Sequence, residues 1–138
     1  MSTELDSQHV EEQKAGLDSD LAQRLVDDYM RLLVAADANG IGALYHSQAR
    51  LEDPVGSTPL VGREAIVEFY SKGLGSIEAA ELSGPIRVAG NEVAFAFNLY
   101  MNIQGQSFAM DIIDVFEIEA EQIVSMRAFW SRENMRAV

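Results

Sequence analysis

The sequence predicts an α+β fold. Three helices gather in the first half, a run of long antiparallel strands follows, and the helices cover one face of a strongly curved sheet that encloses an apolar cavity. Three observations carry this expectation. Helical spacing of apolar residues is confined to the stretch from about residue 18 to residue 75. From residue 78 onward every segment reads as strand, broken by glycine-containing or polar turns. The 138 residues, 48% of them apolar, suffice for one domain with a real core.

Bulk properties bound the function. Residues 1–17 are polar and charged without periodicity, and are expected to form a disordered or loosely attached leader before a single domain over residues 18–138. The N-terminus has no apolar signal-peptide core, and no apolar run is long enough to span a membrane. Cysteine is absent, which excludes disulfides and thiolate chemistry and fits a cytoplasmic protein. The net charge of −12 repels nucleic acid and anionic lipid. Only His9 and His46 are present, and His9 lies in the leader, so a multi-histidine metal site is not expected. No glycine-rich phosphate loop and no G-x-S-x-G turn occurs.

The first helix is expected from Asp18 or Ser19, the candidate N-caps, with Leu21, Leu25, Tyr29, Leu32, Leu33 and Ala36 on its buried face and Asn39-Gly40 as its stop. Ile41, Leu44 and Tyr45 suggest a short second helix packed on the first. Ala49 to Asp53 reads as a short strand and Pro59-Leu60-Val61 as extended. Gly62-Arg63-Glu64 opens a third helix, with Ile66, Phe69, Tyr70 and Leu74 on one side and Glu68 and Lys72 towards water, stopped by Gly73 and Gly75. Strands are then expected over 78–83, 85–89, 92–103, 106–119 and 122–131, with turns at Gly90-Asn91, Gln104-Gly105 and Ala120-Glu121. On the strand from residue 92, Val93, Phe95, Phe97, Leu99, Met101 and Ile103 share a face; on the last strand Val124, Met126, Ala128 and Trp130 do.

Several side chains stand out chemically. Asp53 precedes Pro54, which disfavours helix and holds Asp53 extended, at the end of a strand. A short acid on a stiff backbone is a candidate general base, although Asp-Pro also commonly opens a surface turn. Tyr29 falls in the middle of a buried stripe, so its hydroxyl needs a partner; a backbone carbonyl would serve as well as a functional one. On the strand from residue 106, Phe108, Met110, Ile112, Asp114 and Phe116 share one face, and Ala109, Asp111, Ile113 and Val115 the other. Burying an ionised carboxylate is costly, so an acid in such a row neutralises, finds a partner or coordinates something. Asp114 has the more aromatic face and is the better candidate for a special role; Asp111 fits an ion pair or a subunit contact. Met126 and Trp130 are candidates to line a cavity beside Phe97, with plain core packing as the alternative.

A base, a buried phenol and a buried neutral acid among apolar walls suit abstraction of a proton next to a carbonyl, the two donors stabilising the enolate. At these residues the chain resembles the bacterial Δ5-3-ketosteroid isomerases of the NTF2-like superfamily. The likeness runs through Val26-Asp27-Asp28-Tyr29, Leu51-Glu52-Asp53-Pro54-Val55-Gly56, Gly62 to Tyr70, Met110 to Val115, and Ser125 to Ser131. It implies a cone of three helices on a curved, antiparallel or mixed sheet, and no cofactor. It implies Asp53 as base, Tyr29 and Asp114 as oxyanion donors, and Tyr45 and Tyr70 as a hydrogen-bonded tyrosine chain behind Tyr29. It implies Phe69, Phe97, Met126 and Trp130 as walls against a hydrophobic ketosteroid, and a homodimer packed through the outer sheet face. A donor acid kept neutral is itself an established property of these isomerases. Two other functions remain open: a non-catalytic binder of a hydrophobic small molecule, and another enzyme of the superfamily, such as a dehydratase, cyclase or epoxide hydrolase.

Overall fold

The structure, a computed structural model, describes residues 17–138. In chain order the elements are α1 (Ser19–Val34), α2 (Ala38–Leu44), β1 (Tyr45–Glu52), β2 (Leu60–Val61) and α3 (Arg63–Gly73), then a 3-10 turn at Leu74–Ser76. Next come β3 (Ile77–Leu82), β4 (Arg87–Ala89), β5 (Glu92–Ile103), β6 (Gln106–Glu119) and β7 (Gln122–Phe129). A 3-10 turn at Arg132–Asn134 and β8 (Met135–Ala137) complete the chain. The sheet runs β2-β1-β7-β6-β5-β3, with β4 also on β5 and β8 also on β6. β1 pairs β7 in parallel and the other pairings are antiparallel, so the sheet is mixed. The expected α+β cone, helices over a mixed and unclosed sheet, is what the chain forms.

α1 begins as its sequence requires: the Asp18 carboxylate accepts the backbone N–H of Asp20 at 2.9 Å. Its buried face carries Leu25, Tyr29, Leu32 and Leu33. It stops earlier than expected. Ala36 turns left-handed at φ 55°. Its N–H donates to the Leu33 carbonyl and that of Asp37 to the Leu32 carbonyl, closing a Schellman turn without glycine. Asn39-Gly40, expected as the stop, instead forms the first turn of α2, because Asp37 caps that helix by accepting the Gly40 N–H at 2.9 Å.

Tyr45, expected on the second helix, is the first residue of β1, which starts four residues before the expected strand. Arg63 fixes this change of direction: its guanidinium donates to the Tyr45 carbonyl at 2.6 Å and to the Gly42 carbonyl at 3.1 Å. A register shift between Tyr45 and Arg50 masks strand alternation across the polar His46-Ser47-Gln48. The long strands β5 and β6 have the expected bounds and faces, paired in unbroken register from Glu92↔Glu117 to Ile103↔Gln106. β7 carries a bulge opposite Glu117 and Ile118, which buries Ile123 and leaves Val124, expected on the inner face, only half-buried. β7 also ends at Phe129, two residues short of the expected Ser131, which frees Trp130 from the ladder. β8 and the two 3-10 turns, three residues each, are too short to leave a periodic signal. The expectation for the leader lies outside the described residues, except that Leu17 is buried and donates its N–H to the Gly90 carbonyl at 2.9 Å.

The core lies between the concave inner face of the sheet and the helices, with Phe95, Phe116, Ile66 and Met126 among its buried side chains. α2 and α3 cross closely at Gly42, where an added Cβ would stand 2.3 Å from Val67 Cγ2. Gly42→Ala is therefore expected to destabilise the protein by about 1–3 kcal/mol in chemical denaturation, and Val67→Ala to relieve most of that loss in the double variant. An unaffected single variant would show that the crossing tolerates a methyl group.

Candidate active site

Between α1, α3 and the inner sheet face lies a cavity of about 630 Å³. Leu33, Phe69, Leu74, Phe97, Leu99 and Ile112 supply apolar wall, and Tyr29, Asp53, Asp114 and Trp130 open onto the same space. The structure thus brings together the three polar side chains singled out in the sequence, from α1, the end of β1 and β6.

Tyr29 is held by packing and by a relay. Its ring meets Phe116 edge to face at 5.1 Å between centroids, and Phe95 at 6.1 Å. Its hydroxyl lies 3.1 Å from that of Tyr70, which lies 2.8 Å from that of Tyr45. The three phenols form one hydrogen-bonded chain. Only Tyr29 and Tyr70 face the cavity; Tyr45 stands behind them. Burial raises the pKa of all three well above 10.0, so each remains a neutral phenol and can donate.

Asp114 is 1% exposed, and neither carboxyl oxygen has a hydrogen-bond partner among the described residues. Its pKa stands well above 3.8, first because burial strips water from the charged form, then because Asp53 lies near with the same charge. The Tyr29 hydroxyl pulls the other way, although the hydrogen bond it shares is with Tyr70 and not with either Asp114 oxygen. Burial therefore favours the neutral form of Asp114, whose O–H would be free to donate into the cavity. Asp111, on the opposite face of the strand, is exposed and meets Arg136 at 3.2 Å and the Asn98 amide.

Asp53 follows β1 directly, in a loop held from several sides. The Glu52 carboxylate accepts the Gly56 N–H at 2.9 Å, the Val55 N–H donates to the Ala128 carbonyl at 2.8 Å, and the Asp53-Pro54 peptide is cis. The Trp130 indole N–H donates to Asp53 Oδ1 at 2.6 Å. Burial raises the Asp53 pKa from 3.8, and the indole bond, which favours the anion, partly offsets this. Trp130 is thus more than the wall expected from sequence, for it grips the candidate base. Nothing in the sequence shows this bond; it depends on β7 ending at Phe129.

Phe69 and Phe97 line the cavity as expected. Met126, expected as a wall, does not: it is fully buried in the core, opposite Phe116 in the β6–β7 ladder. The floor is completed by Met101, Met110 and Ile77, which sequence reasoning did not assign. His46 lies off the cavity, its Nδ1 accepting the Gln48 N–H at 3.0 Å. Among the described residues, no three of His, Asp and Glu gather at metal-binding distance.

A family model for the SnoaL-like domain matches residues 26–126. The chain is 39% identical over 108 residues to a steroid Delta-isomerase of Nocardioides simplex, an alignment covering 78% of this chain and 87% of that protein. It is also similar to the solved structure of SalBIII, described as an epoxide hydrolase/cyclase-like enzyme in pyran ring formation in polyether salinomycin. That likeness has a TM-score of 0.80 at 26% identity and covers 88% of this chain and 98% of the other.

The raised pKa of Asp114 has a consequence for stability. Well below pH 3.8 the group is protonated in both the folded and the unfolded chain. As pH rises past 3.8 only the unfolded chain releases this proton, so stability falls until the pH reaches the raised folded value. Chemical denaturation between about pH 4 and pH 8 is expected to show this decline in the wild type, and Asp114→Asn to lack its share of the slope. Equal slopes would mean that Asp114 titrates as an ordinary acid.

Proposed function

The chain belongs to the SnoaL-like family of NTF2-like folds, and within that family we propose that it acts as a steroid Δ-isomerase, moving the double bond of a 3-oxo-Δ5-steroid into conjugation by intramolecular proton transfer. The observation that carries this reading is the set of groups on one apolar cavity: an anion-favouring contact on Asp53, a neutral phenol at Tyr29 and a neutral acid at Asp114. The likeness to the curated steroid Delta-isomerase supports it.

The chemistry follows from the environments. The 3-keto oxygen accepts hydrogen bonds from the Tyr29 and Asp114 hydroxyls. Asp53, as carboxylate, takes the proton from C4. The electron pair moves onto the oxygen, and the resulting dienolate is stabilised by two donors whose orientation is fixed before the charge arrives. Asp53 then returns the proton at C6. Tyr70 and Tyr45 hold and polarise the Tyr29 phenol from behind. Trp130 favours the ionised form of Asp53 against the burial that disfavours it, and Phe69 and Phe97 exclude water from the ring system. No group outside this set is required to balance the reaction.

The outer sheet face carries Ile113 and Phe129 at 47% and 41% exposure, and we take it as the contact between two copies in a homodimer. The absence of cysteine supports a cytoplasmic setting. A cyclase or epoxide hydrolase is the second reading, favoured by the likeness to SalBIII. It would use the same acid to protonate an epoxide oxygen and the same base to take a hydroxyl proton. The first reading is preferred because the hydrogen-bonded phenols supply a second donor beside Asp114, which suits an enolate oxygen.

The test is a UV assay for the conjugated enone formed from 5-androstene-3,17-dione. The wild type is expected to produce it, and Asp53→Asn to lose about 10²–10⁴-fold in kcat while still binding steroid. Tyr29→Phe and Asp114→Ala are each expected to slow turnover by less, and the double variant by more than either. Full activity in Asp53→Asn would remove the base. Unchanged rates in both donor variants and in the double variant would remove the oxyanion site.

The pH profile checks the base separately. kcat/KM is expected to rise with pH as Asp53 ionises, with a midpoint above 3.8. Trp130→Phe deletes the one contact that lowers the Asp53 pKa, so its acid limb should move to higher pH. A limb that stays in place or moves down would separate Trp130 from the base.

A further inference from the structure

α3 turns one stripe towards the cavity: Ala65, Glu68, Phe69, Lys72 and Gly73 all line it. These are positions i, i+3, i+4, i+7 and i+8 of a single helix face, which over an apolar space is ordinarily apolar. Here it bears two charges, joined between Lys72 Nζ and Glu68 Oε1 at 3.0 Å. The fold gains little from them, since their side chains are 74% and 68% exposed and an exposed i,i+4 pair contributes little. Among the described residues, Lys72 is the single cation on the cavity wall.

Exposure gives the cavity a dry end and a wet end. Tyr29 and Asp114 are 3% and 1% exposed, whereas Glu68 and Lys72 stand mostly in water at the mouth. A rigid ligand whose carbonyl reaches the buried donors therefore presents its opposite end to the mouth. From Ala65 to Gly73, α3 offers about 12 Å of wall, enough for a body of several fused rings. An ammonium has three donors, of which Glu68 engages one, so Lys72 keeps donors for a ligand oxygen. Glu68 offsets the Lys72 charge, and the net charge of −12 disfavours an anionic tail. An uncharged acceptor fits this rim best.

We propose that Lys72 is a specificity-determining residue that donates a hydrogen bond to a neutral oxo group on the far ring of the substrate, so that the enzyme prefers 3,17-dioxo steroids over those lacking the distal oxygen. The identity of the substrate rests on the isomerase reading; the role of Lys72 has its own readout. Trp130 is the sole tryptophan and lines the cavity, so its fluorescence reports occupancy without turnover.

The experiment measures, for the wild type and for Lys72→Met, the quenching of Trp130 by the Δ4 products with and without the 17-oxo group, together with turnover of the two matching Δ5 substrates. The wild type is expected to bind the 17-oxo steroid about threefold to tenfold more tightly, and Lys72→Met to erase that preference, with the loss in turnover carried by KM rather than kcat. Glu68→Gln, which releases Lys72, is expected to keep or enlarge the preference. A preference equal in the wild type and Lys72→Met, or absent from the wild type, overturns the role of Lys72. Failure of the wild type to convert either substrate overturns the isomerase reading, and the fluorescence comparison still decides Lys72.

Discussion

Asp114 is the constraint on which the rest of the structure depends. A carboxyl group with no partner sits inside an apolar face of β6, where an ionised form would be costly in free energy. Among the described residues no arginine or lysine offsets its charge, and the nearby charge on Asp53 makes ionisation harder still. The neutral form is thereby favoured, and a neutral carboxyl is a hydrogen-bond donor. The surrounding elements share one consequence of this arrangement: they exclude the water and the counter-charges that would return Asp114 to an ordinary acid.

Two acids share the cavity, and their neighbours treat them differently. Both are pushed up by burial. Asp53 receives an indole N–H at 2.6 Å, which favours the anion, and Asp114 receives no hydrogen bond. Fuller burial, the nearby charge of Asp53 and the lack of a donor set Asp114, the candidate acid, apart from Asp53, the candidate base. Tyr29, the proposed second donor, is held more firmly than one helix could hold it. Its hydroxyl is tied through Tyr70 on α3 to Tyr45 on β1, and Arg63 pins the Tyr45 carbonyl. Displacing α3 would therefore disturb the phenol chain and the cavity wall together.

Rigidity and access are divided between parts of the fold. The β5–β6 ladder, continuous over its whole length, fixes Asp114, while helix α3 serves as both wall and mouth. On the proposed reading, chemistry at the dry end and selection at the wet end would vary independently, because Glu68 and Lys72 contribute little to the core.

The sequence by itself determined the periodic parts. Helical spacing located α1 and α3, strand alternation gave β5 and β6 their limits and faces, and the same alternation placed Asp114 among Phe108, Met110, Ile112 and Phe116. The Asp-Pro step marked Asp53, and resemblance to known isomerases joined it to Tyr29 and the phenol chain. What periodicity does not encode, only the tertiary structure decided. Ala36 ends α1 because Asp37 caps the next helix, and β1 starts at Tyr45 because Arg63, eighteen residues on, captures a carbonyl. Met126 left the expected wall for the core, and Trp130 left the ladder for Asp53. Local spacing shows which way a side chain points along its own element. Which polar group it meets there depends on chain segments far away in sequence, and those meet only when the sheet curves and the helices close over it.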